Sequence, residues 1–125
     1  MREIMLVTVV DDDEAVRESL PDLVRMFGYV VSVFASAEAF LASGVVDQTD
    51  CLVLDVNMTG KGGLGLFSEL KRLGQKIPVV FITAHKDEAV RERLLAQGAS
   101  DCLFKPFSDT ALLAALQSAL GENCK

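Results

Sequence analysis

The chain has 125 residues, half of them hydrophobic, and a net charge of −6 at pH 7. That length suits one domain around a single core, and the acidic balance argues against direct nucleic-acid binding, which normally draws on a basic patch. Mean hydropathy is +0.34, yet no apolar stretch reaches the roughly 18 residues that a membrane-spanning helix needs, and Asp11 to Glu14 interrupt the first apolar run before a signal-peptide layout develops.

In chain order, the first apolar run predicts a strand over roughly residues 4–10, ending Val9-Val10 and passing into Asp11-Asp12. Val16, Leu20, Leu23, Val24 and Phe27 then recur at helical spacing, and Gly28 closes the segment. Pro21 sits inside that pattern and predicts a kink or a displaced start. A second strand over 29–34 leads to Ser36, a cap residue for a short helix that Gly44 ends. The third strand, 50–54, runs Leu52-Val53-Leu54 into Asp55, and the next helix opens after Gly62-Gly63 and stops near Gly74. The fourth strand, 78–83, ends Val80-Phe81-Ile82-Thr83, followed by a helix from Asp87 to Gln97 with Gly98 at its end. The fifth, 101–104, holds Cys102-Leu103-Phe104 before Lys105-Pro106. Ser108 and Asp109 then start a helix whose apolar set is Leu112, Leu113, Leu116 and Leu120.

Short runs rich in Val, Ile and Leu read as strands buried on both faces of a parallel sheet. Their alternation with helices implies right-handed crossovers. Functional residues of such a sheet gather outside the carboxyl ends of its strands. Folding should therefore bring Asp11, Asp12, Asp55, Thr83 and Lys105 to one rim. Three carboxylates, a hydroxyl and an ammonium suit a divalent cation and a phosphoryl group. A carboxylate can act as nucleophile toward phosphorus, but two anions repel, so positive charge must be supplied. Mg²⁺, or Mn²⁺, prefers oxygen ligands and usually takes one or two protein carboxylates. An ammonium and a hydroxyl can serve the transferred oxygens.

Each residue has an ordinary reading when taken alone. Asp11 to Glu14 could be a solvated helix start, Asp55 a turn residue, Thr83 a helix cap and Lys105 a surface lysine. Their coincidence at four strand ends is what favours a site. The three cysteines, Cys51, Cys102 and Cys124, match no metal spacing. Cys51 and Cys102 lie in strand text as small buried hydrophobes, and a reduced, cytoplasmic protein is expected.

Val10-Asp11-Asp12-Asp13-Glu14, Ser36-Ala37-Glu38-Ala39-Phe40-Leu41, Asp55-Val56-Asn57-Met58, Gly98-Ala99 and Lys105-Pro106-Phe107 together resemble the receiver domain of two-component response regulators, of the FixJ/NarL type. The likeness covers roughly residues 3–120, and the motifs are specific through their shared register rather than singly. It implies a flavodoxin-like, doubly wound (βα)5 parallel sheet in strand order 2-1-3-4-5, forming a single module over 1–125 with any output domain outside it. It also implies Asp55 as phosphoacceptor, Asp12 as a direct Mg²⁺ ligand, Asp11 acting mainly through water, and the backbone carbonyl of Asn57 completing the protein ligands. Lys105 and Thr83 would attend the phosphoryl group, and the Lys105-Pro106 bond would be cis. Three consecutive aspartates blur the register, but Asp13 and Glu14 suit the first helical turn, where anions favour the macrodipole. His85, the single histidine, either lines the site mouth and modulates water access or is an inert surface residue.

The same resemblance implies a sensor histidine kinase as donor, an output domain (helix-turn-helix in many relatives) and a phosphorylation-dependent homodimer through the fourth helix, fifth strand and fifth helix. The module would catalyse only its own phosphoryl transfer and dephosphorylation. Three departures bear on output. Thr59 stands where many receivers have Pro, followed by Gly60-Lys61-Gly62-Gly63, which should loosen that loop. Cys102 occupies the usual aromatic switch position, and Phe104, on the same strand face at a different height, does not replace it. Phe104 itself stands where relatives are often polar. A phosphorylation-independent interaction module is one alternative. A metal-dependent phosphoester hydrolase is another, although a haloacid-dehalogenase-type enzyme would want a second Asp where Asn57 stands. An electron carrier of flavodoxin type is weaker, because Asp residues follow the first strand in place of a phosphate loop. The Gly121-to-Lys125 tail reads as the start of a linker or a frayed end.

Overall fold

A computed structural model describes residues 4–58, 60 and 62–121. Thr59, Lys61 and residues 122–125 lie outside them, so the expectations placed on the Thr59 loop, on Cys124 and on the tail fall outside the described residues.

Five strands, β1 (Leu6–Val10), β2 (Val30–Phe34), β3 (Cys51–Asp55), β4 (Val79–Thr83) and β5 (Asp101–Phe104), alternate with α1 (Glu14–Met26), α2 (Ala37–Ala42), α3 (Gly62–Arg72), α4 (Glu88–Ala96) and α5 (Asp109–Leu120). All neighbouring strands pair parallel, in the order β2-β1-β3-β4-β5. This is the flavodoxin-like order that the resemblance implied. Every residue of β3 and β4 is buried, which is why their sequences are apolar throughout instead of alternating.

Alternate side chains divide between two cores. Leu52, Leu54, Phe81 and Cys102 pack with Phe40 of α2, Leu66 and Phe67 of α3 and Leu94 of α4. Cys51, Val53, Val80 and Ile82 pack with Leu20 and Val24 of α1 and Leu112, Ala115 and Leu116 of α5. Helices therefore cover both faces, α2 to α4 on one and α1 with α5 on the other. Phe67 and Phe81 meet edge to face at 5.1 Å, a contact worth about 0.5–1.5 kcal/mol beyond area burial.

Ser36 caps α2 as expected, Asp13 stands one position before the first turn of α1 as its cap, and Asp87 and Ser108 cap the helices they were expected to start. Asp13, Ser36, Asp87 and Ser108 each accept a backbone N–H in the first turn of the helix they precede. Pro21 does not displace the start of α1. The Asp13 cap sets that start, and Pro21 lies within the helix with its ring buried. An interior proline removes one helical hydrogen bond, and burial of the ring offsets part of that cost.

Candidate functional site

Because all five strands run the same way, their carboxyl ends share one rim. Asp11 directly follows β1 and is fully buried. Its N–H donates to the Phe34 carbonyl of the neighbouring strand at 3.2 Å. Its Oδ1 accepts from the Asp13 N–H at 2.9 Å, and its Oδ2 lies 3.2 Å from the Lys105 ammonium. Asp12 is exposed. Asp11, Asp12 and Asp55 each place a carboxylate oxygen within 4.8 Å of the others. Asp13 is not in this group. It caps α1, taking the Ala15 N–H at 2.9 Å, so the tertiary structure sorts the run of aspartates into two that face the rim and one that starts the helix.

Asp55 ends β3 and is 6% exposed. Its carboxyl is pushed up to about 6, by burial first and by the Asp11 charge second, against the opposing pull of Lys105 and the Asn57 N–H. That N–H reaches Asp55 Oδ1 at 3.2 Å. Thr83 ends β4 and is buried. Its Oγ1 accepts from Asn57 Nδ2 at 3.3 Å and from the His85 N–H at 3.1 Å. In both bonds Thr83 is the acceptor, which leaves its own hydroxyl proton to be donated elsewhere. Lys105 follows β5, its N–H donating to the Thr83 carbonyl at 2.7 Å, and the Lys105-Pro106 bond is cis. Val56, Asn57, Leu64, Thr83, His85, Asp87 and Val90 line a cleft of about 340 Å³ beside this rim. His85 thus stands at the mouth, exposed, while its backbone holds Thr83.

The donor set is all oxygen and strongly anionic, which fits a hard divalent cation. With no cation the Asp11 charge adds to burial in opposing the ionisation of Asp55.

Cys102 is 2% exposed and faces the same core as the partly buried Phe104. Its N–H donates to Asp101 Oδ1 at 2.8 Å and its carbonyl accepts from Arg91 Nε at 3.1 Å. Arg91 Nη2 also meets Asp101 Oδ1 at 3.2 Å. These bonds tie α4 to β5, which among the described residues pairs only with β4 and so forms an edge of the sheet. Burial raises the Cys102 thiol, and pushes the Cys51 thiol up to about 12, so both behave as apolar core groups.

Two residues that frame the rim escape a reading of the sequence. Gly63 approaches the site so closely that a Cβ there would sit 2.1 Å from the Asp55 carbonyl oxygen. The Gly62-Gly63 pair signals a loop but not this contact. Arg17 reaches back to the Asp11 carbonyl, Nη1 to O 3.1 Å. A cation in the first turns of a helix runs against the macrodipole preference, and that anomaly was the one available signal.

Residues 7–117 match the family model described as response regulator receiver domain. The chain is 42% identical over 125 residues to the transcriptional regulatory protein FixJ of Azorhizobium caulinodans, spanning all of this chain and 59% of that protein. It is 46% identical over 120 residues to nodulation protein W of Bradyrhizobium diazoefficiens, spanning 96% of this chain and 53% of that protein. The chain thus spans somewhat more than half the length of these curated relatives. Among solved structures, FixJ-N superposes with a TM-score of 0.85 at 35% identity, covering 100% of this chain and 99% of that one. The response regulator StyR does so with a TM-score of 0.85 at 43% identity, covering 94% and 60%.

Proposed function

This chain belongs to the response regulator receiver domain family, the phosphoacceptor signalling modules of two-component systems, and from that premise we propose that Asp55 is the residue that takes the phosphoryl group. The observation that carries this is the position of Asp55 at the end of β3, within 4.8 Å of the Asp11 and Asp12 carboxylates. With its carboxyl at about 6, Asp55 is mostly ionised at neutral pH and can act as nucleophile.

An Asp55 oxygen attacks phosphorus as the P–N bond of a phosphohistidine donor breaks, and the departing imidazole nitrogen takes up a proton. Asp12, Asp55 and the Asn57 carbonyl would hold Mg²⁺, with Asp11 completing the acidic set around it. When bound, the cation supplies the positive charge that lets two anions approach. Lys105 places its ammonium on the transferred oxygens, exchanging part of its contact with Asp11. Thr83 donates its hydroxyl proton to another phosphoryl oxygen. His85 and Asn57, at the cleft mouth, govern the approach of the water that later hydrolyses the acyl phosphate.

The donor is a sensor histidine kinase, and the module works in the cytoplasm, in keeping with its buried, unpaired thiols Cys51 and Cys102. Residues 1–125 act as one module and switch the α4-β5-α5 surface. That surface supports a phosphorylation-dependent homodimer and controls an output domain, helix-turn-helix in kind and transcriptional in effect. Such an event biases the output only through its different stabilisation of two states. The relatives named as transcriptional regulators support the output reading. Among the described residues, no helix is long and apolar enough to cross a membrane.

Incubation with a small-molecule phosphodonor, with and without Mg²⁺, followed by intact-mass measurement, tests the chemistry. A hydroxylamine-labile adduct should form in the presence of Mg²⁺ and be absent from Asp55→Asn. Equal labelling of both proteins would overturn the assignment.

A further inference from the structure

Asp12 poses a positional problem. It is exposed and sits between the end of β1 and the cap of α1, yet its carboxylate must stay aimed at Asp55. On the strand side, the Asp11 N–H is fixed by the Phe34 carbonyl. On the helix side, Asp13 is fixed through its cap to Ala15. Arg17 joins the two. Its backbone N–H donates to the Asp13 carbonyl at 3.1 Å, and its guanidinium Nη1 donates to the Asp11 carbonyl at 3.1 Å. A single residue therefore holds the carbonyls on both sides of Asp12.

We propose that Arg17 is a positioning residue for cation binding: by spanning the Asp11 and Asp13 carbonyls it holds the strand-to-helix turn in the shape that gathers the Asp11 and Asp12 carboxylates beside Asp55. The inference rests on the reading of Asp11 and Asp12 as the cation-holding pair. Two features set Arg17 apart from an ordinary solvated arginine. It is half-buried, which is unusual for a residue type that is mostly exposed. Its charge also lies on the wrong end of α1 for the macrodipole and close to a site meant for a cation. Electrostatics alone would place a neutral or acidic residue there, and the carbonyl tether is the compensating gain. The planar fork of arginine loses less freedom per hydrogen bond than a lysine ammonium does, which suits it to the task.

The two physical effects of Arg17 have opposite signs, and this makes the proposal testable. Mg²⁺ affinity would be measured by calorimetry on the full chain for wild type, Arg17→Met, Arg17→Lys and Arg17→Gln, with amide hydrogen exchange recorded on the metal-free proteins. Arg17→Met, which loses both the donor and the charge, should weaken Mg²⁺ binding about tenfold, the lower end of what removing a supporting group around a metal site costs. It should also speed exchange at Asp13, whose N–H bonds to Asp11 Oδ1, more than at the β3 amides. Arg17→Lys keeps a donor and should recover most of the affinity. Arg17→Gln keeps a shorter neutral donor and should fall between the lysine and methionine variants. Tighter Mg²⁺ binding by Arg17→Met would show that only the charge matters, and unchanged binding would show a surface role. Either result overturns the proposal. An Asp12→Ala control separates the two layers. If it leaves Mg²⁺ affinity intact, the cation site itself is misassigned and both readings fall. If it abolishes binding while Arg17→Met does not weaken it, only the positioning role fails.

Discussion

Lys105 Nζ lies 3.2 Å from Asp11 Oδ2, joining the end of β5 to the end of β1 across 94 residues of sequence. Asp11 is fully buried and the Lys105 side chain is 23% exposed, so the pair closes one side of the rim with little water between its members. Of the three clustered carboxylates, Asp11 thus has an ammonium in contact, while Asp55 feels the same charge against the stronger effects of burial and of Asp11 itself.

This arrangement predicts a particular pH dependence. The Asp55 carboxyl titrates near 6 in the folded protein against an ordinary 3.8. The folded state therefore binds that proton more tightly than the unfolded chain does. The contribution of Asp55 to stability is fully present below about 3.8 and is lost as the pH rises through about 6. Its size is on the order of 1–3 kcal/mol. In a chelator, the thermal midpoint of the wild type relative to Asp55→Asn should fall over that window, leaving the mutant at least as stable near neutrality. Mg²⁺ should reverse the difference by binding the ionised form. A wild type that gains on Asp55→Asn as pH rises without metal would refute it.

The sorting of the aspartate run can be checked by two substitutions. Asp12→Ala should strongly weaken Mg²⁺ binding. Asp13→Ala should leave Mg²⁺ affinity nearly unchanged and cost about 1 kcal/mol through loss of the α1 cap. Calorimetric titration and urea unfolding of both variants measure the two effects. A reversed order would mean that Asp13, not Asp12, faces the cation.

Gly63→Ala should be far more damaging than a helical glycine-to-alanine change, which ordinarily stabilises through the unfolded state. The added Cβ would lie 2.1 Å from the Asp55 carbonyl oxygen, a backbone atom that cannot swing aside. The β3–α3 connection must shift, at a cost of about 2 kcal/mol or more, and Asp55 shifts with it. Urea denaturation should show the loss of stability, and phosphodonor labelling should slow in the fraction that remains folded. Unchanged stability would show that the turn relaxes without strain.

Cys102→Phe probes how the rim reaches the outer surface. Cys102 is already buried in a packed core and its backbone is held by Asp101 and Arg91. An aromatic ring there should therefore overpack the unphosphorylated state by about 1–3 kcal/mol. Movement of Thr83 toward a phosphoryl group would open room for the ring. The substitution should then lower the thermal midpoint of the unmodified protein, and beryllofluoride with Mg²⁺ should recover much of that loss. Dimerisation measured by sedimentation should become more dependent on beryllofluoride, while acceptance at Asp55 stays intact. A loss of stability that beryllofluoride does not alter would show that Cys102 is not on the route from Asp55 to the surface.

The strands, the caps and the rim were legible in the sequence for one physical reason. A strand covered on both faces tolerates apolar residues along its whole length and polar ones only where it leaves the core. The first polar residue after each run, Asp11, Asp55, Thr83 or Lys105, therefore reports where the rim lies. Helix starts are similarly local, because a cap such as Ser36 or Asp87 bonds to an N–H only two or three residues away. Strand order is not local in this sense. It came from the family likeness, because periodicity tells which face a residue occupies and not which strand lies beside it. For the same reason only the tertiary structure decided that Gly63 abuts the Asp55 carbonyl, that Asn57 reaches Thr83, and that Arg91 ties α4 to the edge strand at Cys102. Those contacts depend on distances of a few ångströms, several of them between segments far apart in the chain, and such distances exist only once the helices have packed against the sheet.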